Sequence, residues 1–180
     1  MGQSSTEEAV LYVNSFALDV LIMHDLAGWA IVWDHAKRRA GACNYSKKTL
    51  SFSKTLMALY PRDVQRDVVL HEAAHALAGP KAGHGPEWKK IAVEIGASPK
   101  ALLPNWLPPA PAKWVGTCPR CGQKRNLLRM PKRVVACGTC SKPFDPSVIF
   151  QWTCDGVPAQ PGGDYAKELR RLNRKRSLFG

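Results

Sequence analysis

The chain has 180 residues, of which 45% are hydrophobic, so it can bury a core of ordinary size, and wholesale disorder is excluded. No apolar run approaches the ~18 residues of a membrane-spanning helix. Residues 1–112 carry 12 Lys and Arg against 10 Asp and Glu, whereas residues 113–180 carry 14 against 4, a formal net charge of +10. This asymmetry indicates a polyanionic partner, nucleic acid first, or simply a well-solvated surface.

The first elements are predicted to be one helix and a small sheet. Residues 7–26 are predicted to form a helix with an apolar stripe that begins after Glu7 and Glu8. A secretion signal would carry positive charge at that position. We therefore expect an intracellular, cytoplasmic protein with no membrane partner. Three short extended segments follow and predict a β-meander, at residues 29–33, 40–45 and 49–53.

Two further helices are predicted around a Gly/Pro turn. The first begins near Pro61 and runs to Ala78, where Gly79-Pro80 stops it. It is apolar on most sides, which is typical of a buried helix. The second begins at Pro86 and ends near Gly96.

The buried helix carries the motif H-E-x-x-H at His71, Glu72 and His75. Residues four apart share a helix face, so both imidazoles can hold one metal ion. A catalytic zinc takes three protein ligands and leaves its fourth position to water. Glu72 is placed to accept a proton from that water as it attacks a carbonyl group, the chemistry of a metallopeptidase. Burying these polar groups without a metal would cost roughly 1–3 kcal/mol for each unsatisfied one.

The third ligand has two candidates. His84 lies nine residues after His75, beyond a tight turn that can bring it back over the helix. Glu94, on the following helix, is the rival. We favour His84.

A second metal site is predicted in the C-terminal half. Residues 98–113 contain five prolines and read as a stiff linker, and "CPRCG" and "CGTCS" follow it. Their spacing meets the pattern of a four-thiolate zinc site, which has no open position and is structural. Its predicted ligands are Cys118, Cys121, Cys137 and Cys140.

Basic residues surround this cysteine module. The stretch between the two pairs predicts a two-stranded hairpin with five cations and no acid: Lys124, Arg125, Arg129, Lys132 and Arg133. The tail, 155–180, adds a basic run that is either a short helix or disordered until bound: Arg170, Arg171, Arg174, Lys175 and Arg176. Such residues suit phosphate contacts without sequence specificity. Trp114 and Trp152 either pack the small core or stack on unpaired bases.

The motifs "HEAAHA" and "GHGPEW" resemble the SprT-like metalloprotease family. The upstream stretch "WDHAKRRAGACNYSKKTLSFSKTLMAL" is similar to that family's strand pattern, and the resemblance covers roughly residues 7–154, including a zinc ribbon. It implies that His71, His75 and His84 bind zinc, with Glu72 as the catalytic base. It also implies a protease that acts on proteins bound or crosslinked to DNA. The Pro-rich linker and the basic tail depart from the family pattern.

Together these observations predict an α+β chain in four parts. Residues 1–97 form a minimal zincin-type metalloprotease domain, with helices packed on a small three-stranded sheet; 98–113 form the linker, 114–154 a zinc ribbon and 155–180 the basic tail. Two zinc ions, one catalytic and one structural, are expected, with DNA and a protein substrate as partners. The alternative is a non-catalytic nucleic-acid-binding zinc protein with a protease-like fold, against which the intact Glu72 argues.

Overall fold

The computed structural model describes residues 6–179, with side chains described for residues 6–174. It divides into two compact units, Met1–Ala110 and Pro111–Gly180. Helices and small sheets are mixed along the chain, with a three-stranded sheet in the first unit and a four-stranded sheet in the second. Within residues 6–179, no helix is both long and apolar enough to cross a membrane.

The first unit opens with helix α1, Thr6–Met23, slightly shorter than predicted. Its buried residues are Ala9, Val13, Ala17, Val20 and Leu21. The helix ends because Asp25 adopts a positive φ of 51° and the Leu26 N–H donates back to the Leu21 carbonyl at 2.9 Å, a common way to close a helix.

The sheet contains the three predicted strands in an order that the sequence did not indicate. Strands β1 (Ala30–Asp34) and β2 (Gly41–Asn44) both flank β3 (Thr49–Ser53), with β1 parallel and β2 antiparallel to it. The predicted meander is therefore wrong, although β2 and β3 do form a hairpin. Leu50 and Phe52 of β3 are fully buried, whereas both neighbours keep exposed positions, so the most apolar strand takes the centre.

Three helices complete the first unit. The short α2, Lys54–Met57, begins at Ser53, whose hydroxyl accepts the Leu56 N–H. Helix α3, Arg62–Ala78, packs against α1, β2 and the final helix α4, Pro86–Glu94. Contact on three sides explains why α3 is mostly apolar from Val68 to Ala78. Residues 98–113 follow without a helix or strand.

The second unit is built on an antiparallel sheet with the order β5-β4-β6-β7. Its strands are β4 (Trp114–Thr117), β5 (Lys124–Leu127), β6 (Gln151–Cys154) and β7 (Val157–Pro158), and a 3₁₀ turn spans Pro146–Val148. The predicted hairpin between the cysteine pairs is wrong, since β5 pairs with β4 instead. Pro131 interrupts the rest of that stretch, and proline lacks the N–H that a ladder needs.

The basic tail contains a helix, α5, Gly163–Phe179, that packs on the ribbon. The indole Nε1 of Trp152 donates to the Tyr165 hydroxyl at 3.2 Å, and the Glu168 carboxylate accepts the Val134 N–H at 2.9 Å. Trp114 and Trp152 are buried in the same core, which excludes them from stacking on bases. The sheet, the cysteines and α5 thus share one hydrophobic core.

Candidate functional site

The structure brings the three predicted histidines together. His71 and His75 lie one turn apart on α3, and His84 lies in the turn that joins α3 to α4. The Nε2 atom of His84 is 3.1 Å from Nε2 of His71 and 3.0 Å from Nε2 of His75. The rival ligand Glu94 is exposed at the end of α4 and pairs with Lys90 at 3.9 Å, outside this cluster.

A tight turn after α3 carries His84 back to the helix. Gly79 has a φ of 82°, a conformation that side chains disfavour, and its N–H donates to the His75 carbonyl at 3.0 Å. Two further turns follow, closed by hydrogen bonds from Ala82 to Gly79 and from Gly85 to Ala82. Pro86 then opens α4. The Gly/Pro signals in the sequence therefore mark the turn that completes the cluster.

Trp88 forms the base of the histidine cluster. Its side chain is fully buried, and its ring centroid lies 4.7 Å from His71, 5.3 Å from His75 and 4.7 Å from His84. The indole N–H has no hydrogen-bond partner among the described residues. Packing on one large ring restricts the rotation of all three imidazoles. Trp88 belongs to the motif "GHGPEW", but no pattern in the sequence indicates its role beneath the histidines.

The donor set suits a zinc ion. Burial lowers the pKa of His71 to about 4, reinforced by His75 and His84, and burial also lowers the pKa of His75. These imidazoles are therefore neutral at pH 7, the form that ligates metals. Nitrogen ligands of a tetrahedral zinc lie about 3.3 Å apart, close to the separations in the cluster. One ring nitrogen from each of the three histidines lies within 4.8 Å of the other two, a spacing that fits a single zinc ion.

Glu72 lies beside this cluster in a buried position, with 7% of its surface exposed. Burial raises its pKa to about 7, while the charge of Arg39 and a hydrogen bond from the Cys43 backbone N–H act in the opposite direction. Strand β2 approaches the carboxylate closely at Gly41, where an added Cβ would lie 2.7 Å from the Glu72 Cγ and Oε1 atoms. Any side chain at Gly41 would displace Glu72.

Tyr45, which the sequence did not single out, ties the β2–β3 turn to the end of α3. Its hydroxyl donates to the carbonyl oxygens of His75, at 3.0 Å, and Gly79, at 3.1 Å. Burial is the main cause that raises its pKa to about 12, so it remains a donor at neutral pH. These contacts fix the helix end from which the His84 turn departs.

The histidines and Glu72 open into a cavity of about 540 Å³. Strand β2, helix α3, the His84 turn and residues 100–103 line it. The reactive groups are therefore reachable by a peptide-sized ligand, as expected of a catalytic site and not of a closed structural one.

The four predicted cysteines also come together, in the second unit. Sγ of Cys118 is 3.8 Å from that of Cys140, Sγ of Cys121 is 3.6 Å from that of Cys137, and all four sulfurs lie within 4.8 Å of one another. A tetrahedral zinc holds thiolates about 3.8 Å apart. The set fits a zinc ion, and Cys118 and Cys137 are buried in the ribbon core.

The cysteine pKa values show why this set needs a cation. Burial opposes ionisation of Cys137, but backbone N–H groups of Cys140 and Thr139 donate to its sulfur, and its pKa falls to about 6. The pKa of Cys140 rises to about 12, first through its hydrogen bond with Cys121. Four adjacent thiolates thus cannot all carry charge unless a metal neutralises them.

The predicted nucleic-acid contacts are exposed but not gathered into one element. Lys124 and Arg125 lie on β5, an edge strand, and the other three follow in the irregular stretch after it. Arg133 forms an ion pair with Glu168 at 3.4 Å. Arg170, Arg171 and Arg174 are exposed on α5. The side chains of Lys175 and Arg176 lie outside the described residues.

Comparisons with known proteins place the histidine site in a family. The model of the SprT-like family matches residues 11–106, just over half of the chain. The chain is also similar to a solved structure described as the metallopeptidase zymogen jannalysin of Methanocaldococcus jannaschii, with 17% identity, 46% of this chain and 79% of that chain covered, and a TM-score of 0.41. Among curated proteins, nothing matches. The matched residues include α3, the His84 turn and α4, and the chain belongs to the SprT-like family.

Proposed function

We propose that this chain is a zinc-dependent endopeptidase that acts on DNA-bound or DNA-crosslinked proteins. The observation that carries the proposal is the convergence of three imidazoles beside a buried carboxylate in an open cavity. Membership of the SprT-like family supports a metallopeptidase. When bound, zinc supplies Lewis-acid polarisation of a peptide carbonyl and of a water molecule.

The residues of the chain bind the ion and transfer the proton. His71, His75 and His84 hold the ion, and Trp88 holds their rings. Glu72 accepts a proton from the attacking water at its carboxylate and passes it to the leaving nitrogen. A pKa raised to about 7 suits both steps, because the group can accept and release a proton near neutral pH. The Cys43 N–H and the bare backbone at Gly41 keep the carboxylate in place.

The DNA part of the proposal rests on the second unit. Residues 113–180 carry a net charge of +10, and Lys124 and Arg125 on β5 and Arg170, Arg171 and Arg174 on α5 are exposed. Because α5 is packed on the ribbon, part of this charge is held on a rigid surface, which favours phosphate contacts. We propose that this unit brings the peptidase to DNA without reading its sequence.

Proteolysis is tested by Glu72→Gln in the full chain, incubated with an unfolded protein and with a DNA-bound protein, with and without DNA. The amide is nearly isosteric but accepts no proton, so we expect the rate to fall about 10²–10⁴-fold with zinc content unchanged. Glu87→Gln, on the exposed first turn of α4, is the matched control. Wild-type protein that holds two zinc ions yet cleaves nothing would favour the non-catalytic alternative.

Recruitment is tested by DNA binding at several salt concentrations. The logarithm of affinity should fall with the logarithm of salt, by about 0.9 for each phosphate contact on duplex and about 0.7 on single strands. Replacement of Lys124, Arg125, Arg129, Lys132 and Arg133 by Ala should flatten this slope, whereas replacement of the exposed Lys47 and Lys89 of the first unit should not. Equal salt slopes for the two variants would indicate that the basic residues of the second unit bind a partner other than DNA.

A further inference from the structure

Charged residues line the cavity beside the histidine cluster, and most are already satisfied. The two acids, Asp67 and Glu72, both have partners: Asp67 Oδ1 accepts the Ser98 N–H at 2.6 Å, and Glu72 accepts the Cys43 N–H. Arg39 donates to Asp34 at 2.7 Å and to the Ser51 hydroxyl at 3.2 Å. Arg39 and Asp67 are therefore occupied in holding the walls of the cavity, and Glu72 is the proposed proton acceptor.

Two cations in the lining remain available. Arg38 and Lys100 are exposed, and no ion pair joins either of them to another of the described residues. Arg38 precedes β2, the strand that holds Glu72, and Lys100 follows the Ser98 anchor on α3. Both residues therefore line the same cavity as the histidines and Glu72.

Apolar surface occupies much of the remaining lining. It includes Ala40, Ala42, Val68, Pro80, Leu102 and Leu103. Leu102 is 83% exposed and Leu103 37%, so both leucines offer apolar surface to a ligand. A ligand that fills the cavity would thus meet apolar walls and two unpaired positive charges.

We propose that Arg38 and Lys100 are specificity-determining residues that select an acidic side chain close to the cleaved bond, next to an apolar residue. The inference rests on the proposed peptidase function and names its substrate class. A guanidinium binds a carboxylate through two parallel hydrogen bonds, and an ammonium adds a point charge. A lysine or arginine at the same place in the substrate meets like charge.

This selectivity is of moderate size. Exposed ion pairs are weak, so each cation contributes about two- to five-fold in kcat/KM, chiefly through KM. Salt reduces the preference, because the pairs are open to solvent. In a DNA-bound substrate, the basic segments that touch DNA are disfavoured, and cleavage falls in acidic or neutral segments of the same protein.

The test uses full-length, zinc-loaded protein and a set of quenched fluorescent peptides. The peptides share an apolar scaffold and carry Glu, Gln or Lys at one position, scanned on both sides of the cleaved bond. We compare wild type with Arg38→Glu, Lys100→Glu and the double variant. Lys47→Glu, an exposed lysine of the same unit outside the cavity, is the matched control.

We expect wild type to prefer Glu over Gln and Gln over Lys at one or more positions. The double variant should reverse that order, while Lys47→Glu retains it. Equal rates on all three peptides, or an order unchanged in the double variant, would overturn the specificity but leave the peptidase function standing. Failure to cleave any peptide or an unfolded protein would overturn the proposed function and the specificity together.

Discussion

The histidine and cysteine clusters both have the geometry of zinc ligands but differ in how they relate to the fold. The histidines lie at the surface of a unit whose core is formed by other residues, such as Phe52 and Val69. Of the four cysteines, Cys118 and Cys137 lie in the core of their unit, almost as buried as Val148, and Cys140 packs against that core. Neutral imidazoles can remain together without a metal, whereas adjacent thiolates repel one another.

A metal site can therefore be either an addition to a fold or a part of its core. In the first unit we expect the site to be formed before zinc arrives. In the second unit we expect zinc binding and folding to be one event, as in small four-thiolate modules.

The largest expected effect is that of Cys137→Ser. Loss of one thiolate should remove the second zinc and unfold residues 111–180, because metal binding supplies about 10–16 kcal/mol in small zinc modules. Limited proteolysis and NMR of the full chain would show it. His84→Ala is the contrasting variant: it should lose the first zinc and leave both units folded. A Cys137→Ser protein with an intact second unit would show that this unit folds without its zinc.

Chelation should separate the two sites in time. The histidine site uses three protein ligands and is open, so a chelator should empty it first and abolish cleavage. The thiolates should stay protected against a thiol reagent over the same period. Elemental analysis should fall from two zinc ions per chain to one. Simultaneous loss of both ions would show that the sites do not differ in lability.

Gly41→Ala should separate metal binding from chemistry. The new Cβ has no room beside Glu72, so the carboxylate must move while the histidines stay. We expect cleavage to fall about 10²-fold, the low end for loss of a general base, with two zinc ions retained. Gly162→Ala is the control, because its Cβ would meet open space. Unchanged activity in Gly41→Ala would mean that the Glu72 side chain can adopt another conformation in which it still acts as the base.

Tyr45→Phe should have the smallest effect. It removes one hydroxyl that donates to the end of α3, a loss of about 0.5–1.5 kcal/mol, or roughly two- to ten-fold in zinc affinity of the histidine site. Competition with a chromophoric chelator would measure it. The cysteine site should be unaffected. A Co²⁺-substituted protein should also show an altered visible spectrum if Tyr45 acts by positioning His84.

Sequence was informative wherever the partners are near one another along the chain. His71 and His75 are one helical turn apart, each cysteine pair spans four residues, and the Gly/Pro signals mark the turn before His84. Helix periodicity likewise placed α1, α3 and α4 to within a few residues. These features depend on local geometry, which the order of residues specifies directly.

Contacts between distant residues were not predictable in the same way. The Tyr45 hydroxyl donates to the His75 carbonyl although 30 residues separate the two in the chain, and no local sequence pattern links them. The central place of β3 depends on its parallel pairing with β1, from which β2 separates it in the chain. The packing of Tyr165 on Trp152 likewise joined the basic helix to the ribbon, although composition described only a charged tail.

The stacking of Trp88 on all three imidazoles makes it an optical reporter of the histidine site. Zinc has a filled d shell, whereas Co²⁺ has electronic transitions that accept energy from an excited indole. Co²⁺ in this site should therefore quench the emission of Trp88 by contact, and the same ion at the cysteine site should quench other tryptophans of the six. Comparison with Trp88→Phe would isolate this signal. Occupancy of the histidine site could then be followed in real time, separately from that of the predicted cysteine site.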